Sequence, residues 1–587
     1  MKVTPNMNNR LYKDAEPADT IYKIKSILSR NRIFVDERTM EGFDGVFSAR
    51  VLIDNLDLGT NGKGASKEAA LASAYAELME RIQNFALYKY SFPAKEHLCN
   101  AEFYYAPDEK AISYDEYIGY TKRFKDAVNT DDVTIDDLTI INTKYERDNN
   151  VVLCVPYINY DNNESVFFPA RLSEHIYASN GMAAGNTYTE ALVQSISELF
   201  ERYANKVIFE GKVIPPEIKI EDIPFSPELQ SVISRLKKKE SYVLMFRDCS
   251  LGMGLPVVGM YFINKSTGKY FVKFGCHPIL SIAAERTITE LFQGRNLAHS
   301  DMWLNAFTFG TSIDADINFE NIFRNGDGTY PYNIFSDAYS YEFSNCWYKA
   351  DSADNKMFLD FLLGIIRNNN WNLYHRDVSF LGFPSLHAFI PEISNIAQIN
   401  KLYLSKQRRY NSIKKSMKRL PQCSKEEQLE IIDFIDSNFY TEFDTIHKLL
   451  GLPLSGDSSF NKTNNLCFKY LLCCKAEEYA KGIKNLDKYM KELFPPVEML
   501  TLYRCLREAT YALHINKMGI NETKHILNMV FGTDVTDRAI SILLQHTFET
   551  FDCFECGYCI SKNTCFYPRI IQFDSNISTQ YSLWKNC

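Results

Sequence analysis

Three short phrases in this chain place glutamates where a metal-assisted reaction would need them. Glu77-Leu-Met-Glu80-Arg81, Glu198-Leu-Phe-Glu201-Arg202 and Glu290-Leu-Phe-Gln293-Gly-Arg295 are versions of one pattern, roughly 120 and then 90 residues apart. Thr60-Asn-Gly-Lys-Gly and Ser179-Asn-Gly-Met-Ala-Ala-Gly-Asn introduce the first two copies. On a helix at about 100° per residue, Leu71, Tyr75, Leu78 and Ile82 share one stripe, and Ser73, Glu77 and Glu80 fall about 180–240° away. The second copy repeats this with Leu192, Ile196, Leu199 and Tyr203 on the stripe and Glu190, Glu198 and Glu201 opposite. Arg286, Glu290 and Gln293 take the equivalent places in the third. A glutamate face opposite an apolar stripe is ordinarily a solvated face. Solvent asks only for polarity, however, whereas three repetitions of one residue type at the same angles are what a metal site asks for. Thr187 to Glu190 also reads as a capping box, which would compete for Glu190.

Several carboxylates brought to one point repel one another unless cations join them. Magnesium takes oxygen ligands and is commonly shared between carboxylates and phosphates, so the pattern points to Mg2+ and ATP. Arg81, Arg202, Arg286, Arg295 and Lys63 would neutralise the remaining phosphate charge. Gly62, Gly64 and Gly185 would let backbone approach the nucleotide. These positions carry neither a Gly-x4-Gly-Lys-Ser/Thr loop nor a kinase signature, so the site would be of another kind.

The elements that must position these residues are mixed in the first part of the chain. Val151 to Tyr157 and Val257 to Ile263 read as buried strands, and 67–88, 188–209 and 281–297 as helices. From about Gln398 the pattern turns to helix after helix, at 425–438, 441–450, 466–492, 497–515, 522–530 and 536–550. A boundary near 395–420 therefore divides residues 1–400 from a helical domain at 420–587. The fold class expected is α/β (α+β), a duplicated unit of mixed sheets and helices followed by an all-α domain. Within 587 residues the net charge of −8 gives no general field favouring nucleic acid or anionic lipid. The polar amino terminus lacks an apolar signal core, and no apolar run reaches membrane-spanning length, so a cytoplasmic protein is expected. Most of the fifteen cysteines read as small core residues. Cys553, Cys556, Cys559 and Cys565 differ: four thiolates within 13 residues would suit Zn2+ or an iron–sulfur cluster, with chance spacing the alternative. His277, in Cys276-His277-Pro278, reads as structural rather than catalytic.

The same phrases, together with Thr60-Asn-Gly-Lys-Gly-Ala-Ser-Lys-Glu, Phe274-Gly-Cys-His-Pro and Gln293-Gly-Arg295, resemble the nucleotide-binding motifs of the YcaO family, across residues 12–300 or so. That resemblance implies an ATP- and Mg2+-dependent enzyme that activates a peptide or protein amide by phosphorylating its oxygen. It places Lys13 and Thr20 at the nucleoside end, Glu77 near the nucleotide, and Glu80, Glu198, Glu201 and Glu290 on magnesium. Asn186, Glu190, Arg202, Gln293 and Arg295 would complete the pocket, with Lys63, Ser73, Arg81 and Arg286 beside them. Ala183 stands where the family has serine. The branch most like this sequence is associated with assisting a radical enzyme that methylthiolates a ribosomal protein, so the implied partners are a peptide or protein substrate, a ribosomal protein or its modifying enzyme. A homodimer and a tetratricopeptide-like tail are also implied by resemblance.

Two other functions fit the same residues. One is a cyclodehydratase or thioamide former acting on a small precursor peptide, although the ending Ser582-Leu-Trp-Lys-Asn-Cys587 lacks the proline-rich finish common in azoline formers. The other is a nucleotide-sensing scaffold whose helical tail offers the working groove.

Overall fold

The computed structural model describes residues 12–54, 56, 58–87, 105–113, 115–116, 151–211, 213–310, 318–319, 321–343, 345–348, 354–396, 401–418, 420–437, 464–492, 495, 497–545 and 567–585. Three antiparallel sheets hold the first part of the chain. The first is a meander of β1 (Val35–Phe43), β2 (Val46–Ile53) and β3 (Leu58–Gly64). The second, six-stranded, runs β4 (Lys110–Ser113), β5 (Val151–Asn159), β13 (Tyr374–Asp377), β14 (Ser385–Phe389) and β7 (Met182–Ala184), with β6 (Ser165–Pro169) paired to β5. The third runs β12 (Asn305–Ala306), β11 (Lys269–Cys276), β10 (Val257–Asn264), β9 (Tyr242–Asp248) and β8 (Glu217–Ile218).

The three glutamate phrases lie on helices Lys67–Gln83, Tyr188–Phe209 and Leu280–Leu291. The first begins at Ser66, whose side chain accepts from the Ala69 amide, and the second at Thr187, which accepts from the Glu190 amide. Before the third, the His277 ring accepts from the Ile279 amide at 3.0 Å and shapes the turn. Helix Lys67–Gln83 lies across β2 and β3, and helix Leu280–Leu291 across β10 and β11. The middle helix packs against β7 and β14 on one side and β11 on the other, so two sheets enclose it.

That enclosure decides the question of the glutamate face. No residue from Tyr188 to Phe209 is exposed, and none from Ala69 to Gln83. The expected stripe is buried, with Tyr75 and Leu78 at 0 % exposure, each contributing about 1.5–3 kcal/mol on burial. The opposite, acidic side is covered in part: Glu77, Glu80, Glu198 and Glu201 are all half-buried.

Glycines let the strands come this close, but the neighbour is the protein's own helix. A Cβ at Gly62 would stand 2.1 Å from the Ala70 carbonyl oxygen and 2.2 Å from the Ala74 nitrogen. Gly64 faces Ala69 and Ala70, and Gly185 faces Ala191, in the same way. Their expected role as an approach for nucleotide is therefore corrected: they seat helices on strands. Ala183 is fully buried in β7, paired with Leu386.

Among the described residues, every helix or strand beyond Phe389 is a helix. The charged run Lys401–Lys418 is itself helical. The segment expected as one helix at 466–492 is two, Asn465–Lys475 and Tyr479–Glu492, broken where Glu477 takes φ +62°. The expected helix at 441–450 falls outside the described residues, as do Cys553, Cys556, Cys559 and Cys565. The final helix, Tyr567–Lys585, leaves the helical array altogether. Ile570, Ile577 and Tyr581 join the core of the amino-terminal sheet and helix Lys67–Gln83, and Tyr581 packs on Phe85 and Phe380. Among the described residues no helix is long and apolar enough to cross a membrane.

Gly62→Ala should destabilise the fold by about 2 kcal/mol through overpacking. Gly364→Ala, in helix Asn355–Asn368 with open space around the added methyl group, should stabilise it by about 0.5–1 kcal/mol. Urea unfolding of both variants checks the pair; equal effects would show that the strand–helix crossing is not tight.

Candidate functional site

Side chains from the three helices meet beside β3 and β11. Arg81 lies 3.3 Å from Glu77 and 3.4 Å from Glu80, and Arg202 lies 3.8 Å from Glu198. Lys63, from β3, pairs with one oxygen of Glu290, and Lys273, from β11, stands 3.7 Å from the other. The first and second helices act on each other here. Burial pushes the Glu80 carboxyl well up, and Glu77 and Glu198 add to the rise against Arg81. Burial also raises Glu198, opposed by Arg202 and Arg81 and reinforced by Glu201 and Glu77. Lys63 is brought down to about 8 by burial, although Glu201, Glu77 and Glu198 oppose the fall. Desolvation outweighs pairing at Glu80, Glu198 and Lys63, whereas at Arg81 the pull of Glu80, Glu77 and Glu198 outweighs burial and holds the guanidinium above its ordinary value.

A cavity of about 410 Å³ opens on one side of this cluster. Its wall includes Asn61, Glu77, Glu201, Arg202, Glu290, Gln293 and Arg295, so residues of all three phrases line one space. Arg202 donates to the Phe323 carbonyl at 2.9 Å. Arg295 lies over the Phe271 ring, 4.8 Å from its centre.

Lys13, Thr20, Asn186 and Glu190 form a second group, joined by hydrogen bonds and absent from the cavity wall. Lys13 Nζ donates to Glu190 at 3.0 Å, and the Asp14 amide donates to its other oxygen at 3.0 Å. The Thr20 hydroxyl donates to Asn186 at 2.9 Å, and Asn186 donates to Glu190 at 3.2 Å. Half of the expected capping box exists, since Thr187 caps the Glu190 amide, but the Glu190 carboxylate is committed to the amino-terminal segment. Burial alone would raise that carboxyl; Lys13, the Asp14 amide and Asn186 hold it below its ordinary value.

Other expected residues sit differently. Arg286 is close enough to depress Lys63, yet both its terminal nitrogens are committed, one to the Cys276 carbonyl and one to Gln194, each at 2.7 Å. Ser73 is half-buried, one turn before Glu77. His277 is packed between Tyr12 and Phe358, and burial, Arg286 and Lys13 keep it neutral. Among the described residues, no three carboxylate, imidazole or thiol groups stand together ready to hold a metal ion: Glu77, Glu80, Glu198 and Glu290 are turned towards arginine and lysine instead. Lys273 was not anticipated. Its signal in the sequence is a lone lysine inside the apolar run Tyr270-Phe-Val-Lys273-Phe.

A family model described as YcaO cyclodehydratase, ATP- and Mg2+-binding, matches residues 61–394, and one described as the YcaO cyclodehydratase C-terminal domain matches 411–553. The chain belongs to the YcaO family. The ribosomal protein S12 methylthiotransferase accessory factor YcaO of Escherichia coli K12 is 27% identical over 506 residues, covering 84% of this chain and 85% of that one. A Haemophilus influenzae protein without an assigned function is 29% identical over 400 residues, 66% of each chain. Among solved structures, YcaO from Methanopyrus kandleri bound with AMPPCP and Mg2+ has a TM-score of 0.39 at 15% identity, covering 66% of this chain and 94% of that one.

Glu190→Gln should release the amino-terminal segment. The stabilisation this carboxylate supplies is present at neutral pH and is lost as pH falls through its depressed value. Limited proteolysis near residues 12–16 should therefore be faster in the variant at pH 7 and in the wild-type chain at low pH. Equal rates for variant and wild type at pH 7 would show that Glu190 does not hold the segment.

Proposed function

We propose that this chain binds ATP with Mg2+ between its three glutamate helices and uses it in protein modification. The reaction would activate a peptide or protein amide by phosphorylating its oxygen, directly or as accessory factor to methylthiolation of a ribosomal protein. The observation that carries the reading is the convergence of carboxylates and cations from three helices and two strands on one cavity, with burial shifting Glu80, Glu198, Lys63 and Lys273 toward neutrality. A triphosphate with divalent cations supplies both missing partners. The chemistry of the donor set fits, because Glu80, Glu198, Glu201 and Glu290 offer the hard oxygen ligands magnesium prefers. Bound there, the metal would neutralise charge that develops on the transferred phosphoryl group.

The protein's own residues would do the rest. Lys13, Thr20, Asn186 and Glu190 would meet the nucleoside end, with Ser73 alongside, and Glu77 would approach the nucleotide from the cavity wall. Lys63, Arg81, Arg202, Gln293 and Arg295 would contact or neutralise the phosphates. Arg286 enters as fixed charge rather than as a free hydrogen-bond donor, because its terminal nitrogens are already engaged. The accessory role is supported by the named activity of the Escherichia coli relative, and amide activation by the description of the family.

Titration calorimetry should show Mg2+-dependent ATP binding that is abolished in Glu80→Ala and in Glu201→Ala. The Glu80 variant should melt no lower than wild type, since burial already disfavours that charge. Unchanged affinity in both variants would overturn the site. The pH dependence has a definite sign as well. Lys63 titrates at about 8 in the free protein, and bound phosphates would raise that value. Above pH 8 binding must then take up a proton, so affinity should fall by up to about tenfold per pH unit. A flat profile between pH 7 and 9.5 would remove Lys63 from the phosphate site.

A further inference from the structure

Strand β9 carries, near its end, a charge that the fold encloses completely. Arg247 is at 0 % exposure, the largest fully buried side chain among the described residues. It lies opposite Gly259 of β10 and Glu217 of β8, on the face of the sheet that also presents Tyr261. Residues 332–341 cover that face. The Phe335 ring lies 5.7 Å from the Tyr261 ring, and the guanidinium carbon of Arg247 lies 5.7 Å from the centre of Tyr261 and 5.3 Å from that of Tyr339. The cover is tied to the chain before β8: the Ser340 amide donates to the Ile214 carbonyl at 2.9 Å, and the Ile214 amide donates to the Ser340 hydroxyl at 2.8 Å.

Inside this enclosure the donors go unmet. Among the described residues nothing accepts a hydrogen bond from any of the three guanidinium nitrogens of Arg247. The Tyr261 hydroxyl, also at 0 % exposure, has no partner either. Arginine cannot shed its proton to escape such a place. Ring faces attract its charge but are weak hydrogen-bond acceptors. Nor does a neighbouring acid take up the donors. Glu217, opposite on β8, is exposed, and the Asp248 carboxylate, next along the strand, accepts from the Ser250 amide at 2.9 Å. Cys249 is fully buried, and burial pushes its thiol well up, so it stays uncharged. A buried guanidinium is unfavourable unless an anion joins it.

We propose that Arg247 and Tyr261 hold a small monovalent anion, a halide such as chloride, between the sheet and residues 332–341. Charge fixes the class, because one guanidinium balances one negative charge and a phosphate dianion would exceed it. Chemistry agrees: the guanidinium can only donate, and a halide can only accept. The anion would pin residues 332–341 to the sheet. The site is separate from the nucleotide cavity, whose wall includes neither Arg247 nor Tyr261, and it does not depend on the ATP reading.

The test is the thermal stability of the full chain at constant ionic strength, with sodium gluconate replaced stepwise by sodium chloride or bromide. Gluconate is too large for an enclosed site. Wild type should gain about 2–5 °C in Tm, and the gain should saturate. Arg247→Met should show no saturable gain, and Tyr261→Phe should keep it but need several-fold more halide. If Arg247→Met does not fold, Arg247→Gln carries the same expectation. Crystals grown in bromide should show an anomalous peak against the Arg247 guanidinium and the Tyr261 hydroxyl. A wild-type chain indifferent to halide, an equal response in wild type and Arg247→Met, or bromide crystals with no peak there would each overturn the inference.

Discussion

The arrangement of this molecule depends on acidic side chains held largely away from water between its sheets, Glu190 at 4 % exposure and Glu80 at 13 %. Helix Tyr188–Phe209 carries Glu190, Glu198 and Glu201 through the middle of the protein with no exposed residue along its length. Ionised carboxylates in such a place are unfavourable unless they are paired. Two solutions are visible on the one helix. At its first turn Glu190 is satisfied by an ammonium group, a backbone amide and a side-chain amide, and its carboxyl is held down. Two turns on, Glu198 has a single arginine at 3.8 Å and its carboxyl is pushed up. One helix thus holds one carboxylate with three close donors and another with only a more distant cation.

The sheets explain how this arrangement is held. Each glutamate helix rests on a different pair of strands, and the strands themselves bring in the basic partners, Lys63 from β3 and Lys273 from β11. Strand β11 uses the same device as β3: a Cβ at Gly275 would stand 2.2 Å from the Ala283 carbonyl oxygen, so helix Leu280–Leu291 can lie directly on it. The repeat seen as three similar phrases is therefore a repeat of strand, glycine crossing and helix. Its product is a set of side chains pointing at one space from three directions.

Much of this was legible in the sequence because helix geometry is local. The apolar stripe through Tyr75, Leu78 and Ile82 and the bounds 188–209 follow from periodicity alone. What periodicity could not supply was the environment of the opposite face, since a sheet two hundred residues away covers it. For the same reason Gly62 invited a ligand reading: from sequence, a glycine that admits a nucleotide and a glycine that admits a helix look alike. Lys273 was passed over because strand patterning files a lysine as surface. Arg286 had the right angle on its helix, but Gln194 and the Cys276 carbonyl, which engage it, come from elsewhere in the chain.

The last helix bears on how the two parts of the chain can be separated. Tyr567–Lys585 supplies Ile570, Ile577 and Tyr581 to the same core as Leu78 and Ile82. Phe85, just past the end of the first glutamate helix, rests on Phe380 and Tyr581. A fragment ending near residue 400 would keep every glutamate of the three phrases and still uncover that joint, about one turn from Glu80. The carboxyl-terminal stretch is thus a brace for the acidic helix as much as an appendage.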